Sequence, residues 1–157
     1  MTEREATREQ LIKGLQEDLA REYKAIIQYV VYSQVIDEAQ YMTIAEELEK
    51  HAHEELDHAL KISKQLDYFG VYPTTTPATV QTSEEPKKML EFDLQAEDET
   101  VANYRQRIVQ ANALGEFALA EELQHIIRQE QEHQIDLATA LGIVADPRQR
   151  SAKTKAK

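Results

Sequence analysis

Six side chains in this sequence have the types and spacing of a metal-binding set: Glu22, Glu55, His58, Glu97, Glu130 and His133. Each histidine stands three positions after a glutamate, as Glu55–His58 and Glu130–His133, so on an α-helix each pair shares one face. The spacing recurs, because Glu55 follows Glu22 by 33 positions and Glu130 follows Glu97 by the same 33. Imidazole suits iron, manganese and zinc, and carboxylate suits the harder cations. Four ionised carboxylates cannot share an apolar interior without counter-charge. Two divalent cations would balance them in formal charge.

A single Glu-x-x-His is ordinarily part of a solvated helix face. Here both pairs interrupt apolar stripes. The first stripe reads Leu15, Leu19, Glu22, Ile26, Tyr29, and the second Ile44, Leu48, His51, Glu55, His58, Ile62. The third reads Leu90, Leu94, Glu97, Val101, Tyr104, Ile108, and the fourth Leu119, Leu123, Ile126, Glu130, His133, Leu137. All step by three and four, the period of one helix face. His51 falls on the same stripe as Glu55 and reads as a satisfied histidine at the core edge, with an accessory ligand as the alternative. His53 and His125 fall off the stripes.

Four helices must carry these stripes. They are expected over about 7–36, 37 or 39 to 68, 83–113 and 116–141. Thr7 with Gln10 makes a capping box at the first, and Thr82 with Glu85 is positioned to cap the third. Gly70 and Gly115 act as stops. Residues 70–82 hold two prolines and five threonines and read as an extended crossover. A helix of about 28 residues is roughly 42 Å long, and thirteen extended residues cover about that distance. Two antiparallel hairpins joined by one long crossover make an all-α four-helix bundle with ferritin-like connectivity. The bundle is expected over residues 1–145. A basic tail, expected to be disordered, covers 146–157, and order is expected to end at Asp146–Pro147.

The composition agrees. The chain has 157 residues, about one domain, with four glycines, four prolines and no cysteine. The lack of cysteine excludes a disulfide scaffold, a zinc ribbon and a thiol nucleophile. The net charge of −11 disfavours nucleic acid and favours cations. Arg148, Arg150, Lys153, Lys155 and Lys157 reverse that sign in the tail, the one segment suited to nucleic acid. No apolar run is long enough to span a membrane. Met1 to Gln10 is charged throughout and does not read as a secretory signal. A cytoplasmic location is expected.

One glutamate from each of two helices, with Glu-x-x-His from each of the other two, is the ligand pattern of di-iron and di-manganese carboxylate bundles. At these residues the chain resembles the bacterioferritin and ferritin-like family, from about residue 10 to 142. Arg21-Glu22-Tyr23-Lys24-Ala25-Ile26-Ile27-Gln28-Tyr29 is similar to the first-helix motif of bacterioferritins. Glu54-Glu55-Leu56-Asp57-His58-Ala59 and Gln129-Glu130-Gln131-Glu132-His133 are similar to their two Glu-x-x-His motifs, and Asp93-Leu94 with Glu97 to the third-helix segment. The resemblance implies that Glu22 and His58 bind one iron, that Glu97 and His133 bind the other, and that Glu55 and Glu130 bridge. It implies oxidation of Fe²⁺ by oxygen or hydrogen peroxide, with storage of the product in a homo-oligomeric shell. Manganese or zinc are the possible substitutes. Leu56 stands where bacterioferritins carry the haem-ligating methionine, so no haem is expected. No fifth helix of the larger shells is evident, which leaves the subunit number open. Thr100 stands where rubrerythrins carry an additional metal-binding glutamate.

The leading expectation is thus a ferroxidase serving iron storage or detoxification. The alternatives are a di-iron or di-manganese oxidase or peroxidase acting on a small substrate, and a Dps-like DNA-protecting shell using the basic tail. Tyr29 and Tyr104 are the candidate catalytic side chains, each seven positions after a glutamate ligand. With the first and third helices antiparallel, Tyr29 is expected to bond Glu97 and Tyr104 to bond Glu22.

Overall fold

A computed structural model describes residues 6–154, with side chains as far as Arg150. Four long helices form the bundle: α1 (Arg8–Val35), α2 (Met42–Tyr68), α3 (Pro86–Ala113) and α4 (Phe117–Leu141). A single 3₁₀ turn, Ala39–Tyr41, precedes α2. Helix α1 opens on the expected capping box. Gln10 N donates to the Thr7 hydroxyl at 3.1 Å, and Thr7 N donates to the Gln10 amide oxygen at 3.1 Å. Helix α3 opens differently from expectation. Glu85 is the cap residue but makes no side-chain capping bond, and Thr82 lies outside the helix. Pro86 takes the first helical position instead, where its fixed φ suits the helix and its missing N–H costs nothing. Helix α4 ends on Gly142 at φ 69°, a left-handed conformation that favours glycine.

The register shows that α1 and α3 are antiparallel. Gln28 meets Asp93, Tyr29 meets Glu97, Tyr104 meets Glu22, and Arg107 meets Asp18. Helices α2 and α4 are antiparallel too, since His51 meets Asp136 and His58 meets Gln129. The crossover runs along α1. Thr74 N donates to Gln16, Ala78 N to the Ala20 carbonyl, and Gln81 N to Gln28. Tyr32 then donates its hydroxyl to the Gln81 carbonyl. These bonds give an extended segment the partners that a sheet would otherwise supply.

Two apolar clusters fill the bundle. One gathers Leu11, Leu15, Leu19, Ile62, Leu66, Leu119 and Leu123. The other gathers Tyr32, Ile44, Leu48, Met89, Leu90, Leu94 and Leu137. Between them the stripes turn polar on all four helices.

The tail departs from expectation. Residues Pro147–Thr154 form a short helix, α5. Arg150 makes two guanidinium contacts with Asp98 on α3 and donates to the Val144 and Ala145 carbonyls. Arg148 pairs with Asp146. The sequence shows the charge of these arginines but not the acids waiting for them. Lys155 and Lys157 lie outside the described residues.

Gly14 on α1 makes room for a buried ion pair. Arg107 donates to both Asp18 oxygens, at 2.7 and 3.2 Å, and a Cβ on Gly14 would sit 2.1 Å from the Arg107 guanidinium carbon. Replacing a helical glycine by alanine ordinarily gains about 0.5–1 kcal/mol. Gly14→Ala is predicted to reverse that sign and cost about 1–3 kcal/mol through overpacking. Urea denaturation checks it, and an unchanged or higher midpoint would show that Arg107 swings aside at no cost.

Candidate metal centre

The six candidate residues converge at mid-bundle and are nearly sealed from solvent. Glu22, Glu55, His58, Glu97, Glu130 and His133 are each 0–3% exposed. They form two groups of four within metal-sharing distance. One is Glu22, Glu55, His58 and Glu130; the other is Glu55, Glu97, Glu130 and His133. Glu55 and Glu130 belong to both.

The donors are too few for the acceptors. His58 Nδ1 lies 3.0 Å from Glu130, 3.1 Å from Glu55 and 3.6 Å from Glu22. His133 Nδ1 lies 3.0 Å from Glu55 and 3.3 Å from both Glu97 and Glu130. One ring N–H cannot serve three carboxylates. Glu22, Glu97 and Glu130 each keep one buried oxygen without a hydrogen-bond partner among the described residues. A buried oxygen left so is costly unless protonated or bound to a cation. The donor set therefore fits metal binding.

Protonation shows how the layer is held without metal. Burial pushes the Glu55 carboxyl well up, and the charges of Glu130 and Glu22 push it further. Burial and Glu130 raise Glu97 to about 7. Burial also works against charged His58 and His133, but their carboxylate contacts win and hold both well above the ordinary imidazole value. At Glu22 and Glu130 burial is likewise overcome, by bonds to Glu55 and His58 and by bonds to His133 and His58 respectively, and both stay low.

The tyrosines meet the helix opposite, as expected. Tyr29 donates to Glu97 at 2.5 Å, and Tyr104 donates to Glu22. Burial, followed by the charge of the facing glutamate, raises both phenols well above their ordinary value, so both stay protonated and donate.

Sequence reasoning missed the partners of the outer histidine nitrogens. His58 Nε2 meets Gln129 Oε1 at 2.6 Å. His133 Nε2 faces Glu54 at 3.8 Å. Gln129 and Glu54 each precede a shared glutamate by one position, so the 75-position offset between the two hairpins, which relates Glu55 to Glu130, carried this signal. His51 is more deeply set than an edge residue, at 1% exposure. Its ring stacks on His133 with centroids 4.0 Å apart, and its Nε2 lies 3.0 Å from Asp136. Burial, followed by the charge on His133, lowers it to about 4. His53 and His125 are exposed, as expected.

A four-helix bundle with a buried layer of paired glutamates and histidines defines the carboxylate-bundle class of iron-handling proteins. The comparisons agree with this placement. The ferritin-like domain family matches residues 12–145, and the chain belongs to that family. A bacterioferritin from Brucella melitensis is 24% identical over 136 residues, covering 86% of this chain and 84% of its own. A solved ferritin-like, di-iron carboxylate protein from Bacillus anthracis is 34% identical with a TM-score of 0.81, over 85% of this chain and 96% of that one. A dodecameric thioferritin from Bacteroides fragilis has a TM-score of 0.80 at 23% identity, over 88% of each chain, a likeness of fold. Among the described residues no helix is long and apolar enough to cross a membrane.

The proton inventory predicts an inverted pH dependence. A carboxyl raised above its ordinary 4.5 stabilises the fold while protonated, and Glu97 loses that contribution as pH rises through about 7. His58 and His133, raised from 6.5, act in the same direction above that value. His51, lowered to about 4, opposes this trend below 6.5, so the metal-free protein is predicted to lose thermal stability between about pH 6.5 and about pH 8, against the usual trend. Zn²⁺ or Mn²⁺ should raise the midpoint, and more so at higher pH, because the cation competes with these protons. A metal-free midpoint that climbs across this range would contradict the proton assignment.

Proposed function

We propose that this protein is a ferroxidase that binds two iron ions per subunit and oxidises Fe²⁺ with oxygen or hydrogen peroxide, for storage or detoxification. The observation that carries the reading is the pair of four-residue groups sharing Glu55 and Glu130. Glu22 and His58 would hold one ion and Glu97 and His133 the other, with Glu55 and Glu130 available to both. Bound iron would supply the electrons that reduce the oxidant, and manganese or zinc could occupy the same ligands. Leu56 offers no donor to a haem iron, so the reading includes no haem.

The chain's own residues set the conditions for this chemistry. Burial of all six ligands excludes bulk water and strengthens every charge interaction inside. Gln129 accepts a hydrogen bond from His58 Nε2–H, so that Nδ1 is the nitrogen that would turn its lone pair to a cation in place of its proton. Tyr29 and Tyr104 fix the orientation of Glu97 and Glu22. Each phenol can also give up an electron, its proton passing to the glutamate it already bonds. The bacterioferritin relatives support iron as the native metal, and the dodecameric neighbour supports a homo-oligomeric shell. A cytoplasmic site of action goes with this reading. The engagement of Arg148 and Arg150 with acids of the chain weakens the DNA-binding alternative.

Anaerobic loading is expected to give about two irons per chain. Glu55→Ala and Glu130→Ala should each abolish fast Fe²⁺ oxidation in stopped-flow traces, and wild-type-like rates in both would refute the site. Tyr29→Phe and Tyr104→Phe should slow oxidation by about 10–100-fold with metal retained. Continued oxidation beyond two ions per subunit, with mineral formation, supports storage; arrest at two supports an oxidase of small substrates.

A further inference from the structure

Beside the buried layer lies a second constellation that the proposed centre does not use. Glu47 and His51 stand one turn apart on α2, and Asp136 faces them from α4. One ligand atom from each falls within 4.8 Å of the others. Unlike the six residues of the centre, this group is graded from solvent inward. Asp136 has a side chain 38% exposed, Glu47 is half-buried, and His51 is 1% exposed.

We propose that Glu47, His51 and Asp136 form a third cation site, which takes a divalent transition-metal ion, Fe²⁺ in the cell, at the outer edge of the carboxylate layer. Two carboxylates balance one such ion, and the imidazole selects it over magnesium or calcium. His51 Nε2 and Asp136 Oδ2 are 3.0 Å apart. Two ligand atoms at that separation, each about 2.1 Å from one ion, subtend about 90°, as adjacent positions of an octahedron do. Glu47 supplies a third position and water the rest.

A second observation concerns the ring itself. His51 Nδ1 is buried without a hydrogen-bond partner among the described residues. The Asp136 carboxylate therefore draws the ring proton to Nε2, and Nδ1 is free to take it when a cation displaces that proton. Nε2 can give up its bond to Asp136 and accept a metal with no Nδ1 partner lost. A histidine held only to orient Asp136 would not need to be sealed in the core with one nitrogen unsatisfied.

The position defines the role. His51 stacks directly on His133, with 26° between the ring planes, and touches the edge of Tyr29 at 5.0 Å between centroids. Glu54, half-buried and 3.8 Å from His133 Nε2, adds a carboxylate between the two constellations. A cation at the third site stands between solvent and the half of the layer built on Glu97 and His133, as an entry station would. The delivery role rests on the proposed dinuclear centre, but the existence of the site does not.

Titration of the intact metal-free protein with Co²⁺ by calorimetry separates the two. Wild type is expected to bind three ions per chain. The conservative double variant Glu47→Gln, Asp136→Asn alters only the outer carboxylates and should bind one ion fewer. Alternatively, it should bind one ion at least tenfold more weakly. If the dinuclear reading alone fails, wild type binds a single ion and the double variant none. Identical stoichiometry and affinities in wild type and double variant would overturn the third site. Iron uptake gives an independent readout. At one Fe²⁺ per chain, the variant should fill the centre at least tenfold more slowly while reaching the same final loading, and equal filling rates would remove the delivery role.

Discussion

Everything in this bundle is arranged around an excess of negative charge in its driest layer. Four glutamates and two histidines occupy a section flanked above and below by apolar clusters, and the two imidazoles cannot satisfy the carboxylates that crowd them. The layer is tolerable in two states. In one, protons sit on Glu55, Glu97 and both histidines. In the other, cations replace those protons. The Leu-rich clusters on either side hold the helices together whichever state obtains. Stability from those clusters is what allows the middle to remain poised for metal.

The sequence exposed the parts of this design that repeat. A helix stripe broken by an acid is visible because leucine and isoleucine flank it at steps of three and four, and four such breaks at matched offsets locate the layer. The cross-bonding of Tyr29 and Tyr104 was legible for the same reason, since each continues a stripe and only the facing helix offers an acceptor. Single events in space stayed hidden. Nothing in the chain announces that Gly14 leaves a notch for Arg107, because the two are far apart in sequence and neither is unusual alone. Helix α5 was missed because Asp146-Pro147 reads as a terminator, while its anchor is Asp98 on α3. The cap of α3 was misassigned because threonine is the better capping residue by propensity, whereas Pro86 already presets the first turn.

The repeat also shows where the two halves of the bundle part company. Asp18 and Asp93 both stand four residues before a glutamate of the layer, and both are buried. Asp18 is neutralised by Arg107. Among the described residues Asp93 has the Gln28 amide as its one hydrogen-bond partner, at 3.0 Å, and burial pushes its carboxyl well up. The position equivalent to Arg107 on the first helix is Tyr32, which feels the charge of Asp93 but gives its hydroxyl to the Gln81 carbonyl. One end of the layer is therefore pinned by an ion pair. The other is tied through Gln28 to the crossover, which also bonds that amide.

The same asymmetry reaches the histidines. His58 has a neutral amide on its outer nitrogen, at hydrogen-bonding distance, while His133 has a carboxylate at 3.8 Å, beyond direct hydrogen bonding, and a stacked imidazole behind it. A neutral acceptor fixes a tautomer without adding charge. A carboxylate adds negative potential and favours the more highly charged ion. The half-site built on His133 is thus electrostatically the richer in anions, and it is also the half that lies nearest the graded opening toward solvent through His51 and Asp136. On that side carboxylates stand at successively greater depth, from Asp136 and Glu47 to Glu54 and then Glu97. Access and charge are therefore placed on the same side of the bundle, and the opposite side, closed by Gln129, is left to hold geometry.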